Sequence, residues 1–362
     1  MRYLYLLCIF CLQSTLLFSQ QDSIVEDFSE YENVTYSDAK SKVFCNPKIF
    51  DLSPQKFISV AFDAQLPHSL SVSEIGAYAP DATEGIINEK ADLNYVGGLR
   101  LFANIPVISK NNILWQLGIN YWDVNYQVKN RTLYGTESNL SIDEIQKGLK
   151  TTGLHTMLYK PLNEKQFIIF QGSADLNGNY SFAQPQALKY LRYSAALLWG
   201  KRPSDRKQWA IGISRTYRVG ELNYIPIILY NWTSSSRKWG TEILFPARAH
   251  VRKNFNPGNL LLVGYELEGQ TYRLNGLSDP NKSLELRRGE LRLRAEFQKK
   301  LFGFIWGSLQ AGYRYNYSYN ADYLTNDGKE FFRGFFGTQN YAMINELSGA
   351  LYFQVGIHLV SP

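Results

Sequence analysis

Cysteine is scarce: three occur in 362 residues, and two of them, Cys8 and Cys11, fall in the first apolar stretch. If that stretch is removed, Cys45 stands alone, which excludes an intramolecular disulfide and a cysteine-based structural zinc site. Histidine is almost as rare. His68, His155, His250 and His358 are scattered, with none of the close pair spacings that hold a metal. No G-x-S-x-G elbow and no phosphate-binding loop is present, so the common hydrolase and nucleotide signatures are missing. Beyond residue 19 no run of about 18 apolar residues occurs, which excludes a membrane-spanning helix there. An excess of one charge sign is lacking as well. The chain has 38 basic and 32 acidic residues, interleaved, and that balance gives no reason to expect nucleic acid as a partner.

The first 19 residues read as a secretory signal. Arg2 supplies the positive start, residues 3–18 the apolar core, and Ser19 a small residue at the cleavage point before Gln20 and Gln21. No cysteine follows that point, so no lipoprotein anchor is expected. Residues 20–55 are polar and carry Asp22, Glu26, Asp27, Glu30 and Glu32 with little apolar periodicity. They read as a periplasmic leader or linker.

Aromatic residues are abundant at 15%, with 25 tyrosines, while mean hydropathy is only −0.27. That average hides a pattern. In residues 284–319, Leu291, Leu293, Ala295 and Phe297 alternate with Glu290, Arg292, Arg294 and Glu296. After Lys299 and Lys300, Leu309, Ala311, Tyr313, Tyr315, Tyr317 and Tyr319 alternate with Gln310, Arg314 and Asn316. Successive side chains of a strand point to opposite faces, so each segment has one apolar and one polar or charged face. Amphipathic strands of this length with aromatic ends are what a membrane-spanning β-barrel requires.

The same alternation recurs from Phe57 to Leu359. Near Trp122 and Asp123 the apolar phase shifts to Val124, Tyr126 and Val128, which predicts a bulge. Residues 106–112 read as a turn on the strength of Pro106, and Ser141 with Glu144 forms a capping box for a short helix. Pro246 either marks a turn or sits within one strand. Short connections near 161–165, 201–207, 233–237, 256–259 and 299–300 alternate roughly with long ones near 66–90, 131–149, 275–283 and 320–346. These observations predict an all-β fold: a transmembrane antiparallel up-and-down β-barrel of about 12–14 strands over residues 56–362. The last strand, alternating through Leu351, Phe353, Val355, Ile357 and Leu359, is of the kind that barrel-insertion machinery reads.

Candidate lumen-facing residues follow from the phase: Glu266, Glu268, Arg288, Glu290, Arg292, Arg294, Glu296 and Arg314. If their strands are neighbours, carboxylates and guanidiniums meet inside the barrel. A charged lumen can select solutes electrostatically, whereas balanced charges suit a closed, ion-paired interior. No cofactor, metal site or catalytic residue is expected. Ser194, Ser214 and Ser308 are the serines that a barrel lipase might pair with a histidine, and nothing in the sequence chooses among them.

Pro226 to Tyr230, Lys238-Trp239, Leu244-Phe245-Pro246 and residues 264–272, with residues 118–126, Leu154-His155 and Lys201-Arg202, resemble a family of Bacteroidota outer-membrane β-barrel proteins of unknown function. The resemblance covers about residues 55–360. It implies the outer membrane of a Gram-negative bacterium, with membrane lipid and the insertion machinery as partners, and it implies no substrate. The expected role is passive transport or binding of a small solute through the lumen. The alternatives are a structural or interaction barrel that uses its long loops, and a lipid-acting barrel enzyme.

Overall fold

The computed structural model describes residues 44–79, 82–135, 142–183, 188–218, 222–274, 283–324 and 340–360. The signal, most of the leader, Ser141, and most of the connections at 275–283 and 320–346 lie outside them.

Seventeen strands form one sheet: β1 (Lys56–Gln65), β2 (His68–Ser73), β3 (Ile87–Lys110), β4 (Ile113–Leu133), β5 (Leu149–Pro161), β6 (Gln166–Gly178), β7 (Arg192–Ser204), β8 (Lys207–Thr216), β9 (Asn223–Thr233), β10 (Trp239–Phe245), β11 (Arg248–Asn256), β12 (Asn259–Leu274), β13 (Ser283–Phe302), β14 (Ile305–Ser318), β15 (Ala321–Leu324), β16 (Glu346–Leu347) and β17 (Ala350–Val360). Fourteen of them close into an antiparallel barrel, with β1 pairing β3 on one side and β17 on the other, and β17 returning to β14. Closure leaves no free sheet edge around most of the wall, as a hydrocarbon environment demands.

The outward face is apolar. Ile58, Val60 and Phe62 on β1, Ile211 and Ile213 on β8, and Val355 and Ile357 on β17 are all exposed. In water so continuous an apolar belt would drive aggregation; in a bilayer it is the lipid contact. Tyr313, Tyr315 and Tyr317 are exposed at its upper part.

Each end of the barrel has its own character. At the short-turn end the turns lie at 111–112, 162–165, 205–206, 234–238, 257–258 and 303–304. The β13–β14 turn falls at Gly303, with φ +48°, and not at the Lys299–Lys300 pair. Glycine adopts that left-handed backbone without a Cβ penalty, while the lysines are the last rungs of the ladder, opposite Gly307 and Trp306.

Residues 44–55 run across this end. The Cys45 N–H donates to Asn163 O at 2.9 Å, the Phe50 N–H to Asp205 O at 2.8 Å, and Ser53 Oγ to Glu242 Oε2 at 2.6 Å. Cys45 is buried with Tyr159, Phe167, Ile169 and Leu198, and Ile49 is buried too. This part of the expected leader is therefore ordered against the barrel, anchored by a few irregularly spaced apolar residues that leave no periodicity to read.

At the long-loop end β3, β4, β12 and β13 run far past the 9–11 residues that span a bilayer. Their ends pack with β2, the short helix Ile142–Gln146, β15 and β16. One apolar cluster results, including Leu70, Val72, Trp122, Ile142, Leu149, Tyr272, Tyr319 and Met343. The tip of β12 leans across to β6, pairing Arg273 with Gly178, and Arg192 of β7 forms an ion pair with Glu285 of β13.

This cluster explains the phase shift at Trp122. The β3–β4 register runs without a shift from Gly97↔Asn125 to Arg100↔Trp122, so there is no bulge at that point. Instead, the inward face becomes apolar where it leaves the lumen and enters the cluster. Pro106 does not end β3 either; the strand continues to Lys110, with an irregularity between Pro106 and Ile108 that accommodates the missing donor. Pro246 does mark a turn, between β10 and β11, which gives the upper of the expected strand numbers.

Candidate functional site

Register places all eight charged candidates on the inward face. Glu266 lies opposite Arg292, Glu268 opposite Glu290, Gln270 opposite Arg288, and Arg292 opposite Arg314. The side chains do not stand free. They form one unbroken chain of ion pairs that also recruits Lys56, Asp63 and Arg100.

The chain starts at the short-turn end. Lys56 meets Glu296 at 3.0 Å, Glu296 meets Arg294 at 3.2 Å, and Arg294 meets Glu266 at 3.1 Å. Arg292 then joins Glu266 at 2.8 Å and Glu268 at 3.1 Å. Arg100 grips Glu268 through both of its terminal nitrogens, at 2.8 and 2.9 Å, and sends Nε to Asp63 at 3.0 Å. Asp63 also pairs with Arg314, which reaches Glu290 at 3.4 Å, and Glu290 ends the chain on Arg288 at 2.7 Å. Charge alternates at every step. Each buried ion is thereby compensated by a partner, the condition for keeping charge in a low-dielectric interior.

Neutral groups complete the wall. Arg294 donates to Gln310 at 2.9 Å and to His250 Nε2 at 3.1 Å, and Gln310 donates to the Tyr352 hydroxyl at 2.6 Å. The Trp122 ring lies 3.8 Å from the Arg100 guanidinium carbon and 5.5 Å from that of Arg288, so its face stabilises both cations.

Sequence reasoning missed three members of the chain. Asp63 sits in β1 between Phe62 and Ala64, and its alternation was available. Arg100 was visible as a polar-face residue of β3. What one strand's phase does not reveal is that β1, β3 and β12 converge on the same point of the lumen.

The charged wall occupies one side of the barrel. Opposite it lies a cavity of about 670 Å³. Arg100, Arg248, Glu266 and Glu268 form its charged side, while Ser173, Ser194, Ser214, Thr216, Thr151 and Gln171 supply neutral polar groups on the other. His155 lines it, stacked on Phe102 at 4.9 Å, and its Nε2 is buried with no hydrogen-bond partner. Asn120 Oδ1, also on the lining, is likewise unpartnered. These atoms are poised to meet a solute or water.

The serines separate. Ser194 and Ser214 line the cavity, whereas Ser308 lies off it. Ser308 Oγ is 2.7 Å from His358 Nε2, and Ser59 Oγ is 2.6 Å from His358 Nδ1. Both ring nitrogens are thus engaged by hydroxyls, where a hydrolytic triad would place a carboxylate on one of them. Among the described residues no group of three or more histidine, cysteine and acidic side chains converges as a metal site would. Outside the membrane-spanning strands, burial lowers the pKa of Lys48 on the crossing segment and of His68 on β2.

No family model matches the chain, and no curated protein matches it in sequence. Among solved structures it is similar to an outer-membrane channel from Pseudomonas putida F1, at 13% identity over 86% of this chain and 98% of that one, with a TM-score of 0.33. The outer-membrane protease OmpT from Escherichia coli aligns at 6% identity over 85% of this chain and 98% of its own, with a TM-score of 0.30. The TodX monoaromatic hydrocarbon channel aligns at 9% identity over 86% and 91%, again with a TM-score of 0.30. The resemblance to Bacteroidota barrels rests on the strand motifs alone.

Proposed function

We propose that this chain is an outer-membrane β-barrel of a Gram-negative bacterium, exported by its N-terminal signal, whose lumen binds and passes a small solute. One observation carries the reading: the cavity beside the ion-paired wall. Its volume lies within the roughly 300–1,000 Å³ typical of small-molecule sites. The paired charges hold one side rigid, so the solute meets a fixed electrostatic surface without having to neutralise it. The hydroxyls and unpartnered His155 and Asn120 atoms opposite offer contacts that water or a solute fills. Membrane lipid on the apolar belt and the insertion machinery at β17 are the partners this reading requires.

The test is refolded full-length protein in proteoliposomes. Swelling in a panel of small solutes, or a solute-dependent change in the fluorescence of Trp122 on the cavity wall, supports the proposal. Absence of both across charged, neutral and amphipathic solutes refutes it.

A further inference from the structure

The barrel wall has a window. β10 and β11 are shorter than their neighbours, and their uppermost pairs are Phe245↔Ile228 with β9 and Arg248↔Glu266 with β12. The Leu267 N–H donates to Ala247 O at 2.8 Å and closes that turn. Above it, among the described residues, 223–227 of β9 pair only with β8. Residues 267–274 of β12 pair only with β13 until Arg273 meets β6. Two strands are therefore missing from the wall over roughly 16 Å of β9, at about 3.3 Å per residue.

The cavity reaches this window. Ile225, Phe245, Pro246, Ala247, Leu267 and Gly269 all line it. On the outer side Tyr224, Phe245 and Ile228, 53%, 50% and 48% exposed, belong to the lipid-facing belt. Strand edges without partners are tolerated at membrane depth where they border a cavity, which is the case here. The axial routes, by contrast, are covered by residues 44–55 at one end and by the apolar cluster at the other.

At the inner lip stands Arg248. It is exposed to the cavity and has no ion pair within 4.0 Å among the described residues, because nearby Glu266 is already held by Arg292 and Arg294. A cation just inside an apolar opening has the chemistry of a head-group site. We propose that the window is a lateral portal through which a monoanionic amphiphile moves between the lipid phase and the cavity, its acidic head on Arg248 and its apolar tail in the opening. The proposal rests on the lumen being a solute-binding cavity and names the class of solute.

The experiment uses the full-length barrel in phosphatidylcholine vesicles, with the fluorescent fatty acid cis-parinaric acid and its methyl ester as probes. The wild type is expected to bind the acid saturably. Arg248→Gln is expected to weaken the acid by about tenfold and to leave the ester unchanged, since only the charge-assisted contact is lost. Ala247→Trp, which places a bulky ring in the opening on an exposed turn, is expected to slow entry of both probes several-fold. Retained far-UV circular dichroism shows that each variant is folded. If both variants bind and load as the wild type does, the portal is wrong. If the wild type binds neither probe but its vesicles swell in sugars, the portal falls while the solute-passing lumen stands. If neither binding nor swelling occurs, both proposals fall.

Discussion

Arg100 on β3 and Glu268 on β12 are joined across the lumen by two parallel hydrogen bonds of 2.8 and 2.9 Å. Four strands, β13, β14, β17 and β1, separate them around the wall. The pair is therefore a strut between distant parts of the barrel, and its bidentate geometry fixes orientation as well as distance.

Cutting the strut from one side leaves a charge without its partner. Arg100→Ala is expected to destabilise the barrel by about 3–5 kcal/mol, the usual consequence of orphaning one member of a buried pair. Replacing both partners, as in Arg100→Met with Glu268→Met, should recover much of that loss. Urea-dependent unfolding from lipid vesicles, followed by tryptophan emission, measures both. A double variant less stable than either single one would contradict the account.

The crossing segment at the short-turn end is held by few apolar contacts. Ile49→Asp places a carboxylate where Ile49 is buried and is expected to release the segment. Vesicles carrying this variant should swell faster in small sugars than those with the wild type. Equal rates would show that the segment does not limit passage.

Leu70 lies wholly buried in the apolar cluster at the other end. Leu70→Ala is expected to cost about 2–5 kcal/mol locally, by lost burial and a residual cavity. Because the cluster joins separate connections, its loosening should appear as faster proteolysis of those connections while the membrane-embedded strands stay protected. Unchanged proteolysis would argue against a cooperative cap.

Leu309 on β14 points outward and is exposed. Leu309→Arg is expected to cost about 2–4 kcal/mol if its position is at the bilayer midplane. Its ladder partner Phe297 gives an independent site on the same face for the same test. Folding yield into vesicles, read by heat-modifiable gel mobility, distinguishes lipid-facing from solvent-facing positions. A neutral outcome at both would remove the lipid contact.

Much of the barrel is legible residue by residue, because lipid and lumen impose opposite demands on successive side chains. Leu291 to Phe297 against Glu290 to Glu296 shows both faces at once. Legibility fails where a third environment intrudes. Tyr319 continues the odd-numbered series of Tyr313, Tyr315 and Tyr317, yet it is buried in the cap with Tyr126, whose hydroxyl is 3.3 Å away. The shift at Trp122 has the same origin: periodicity reports a change of face but not what the face meets. The ion-paired wall was legible only in part. Its β12–β13 members are close in sequence, whereas Asp63 and Arg314 are 251 residues apart. The cavity and the window were not legible, because they come from the relative lengths of strands that are far apart in the chain.

The segment that crosses the short-turn end leads directly into β1, and β1 takes β17, the final strand, as its neighbour. The first strand of the barrel waits for the last to be made before its outer edge is satisfied. Shutting the cylinder and corking that end therefore belong to a single event late in assembly. A nascent barrel still open along its seam is also one whose stopper has no completed rim to seat on.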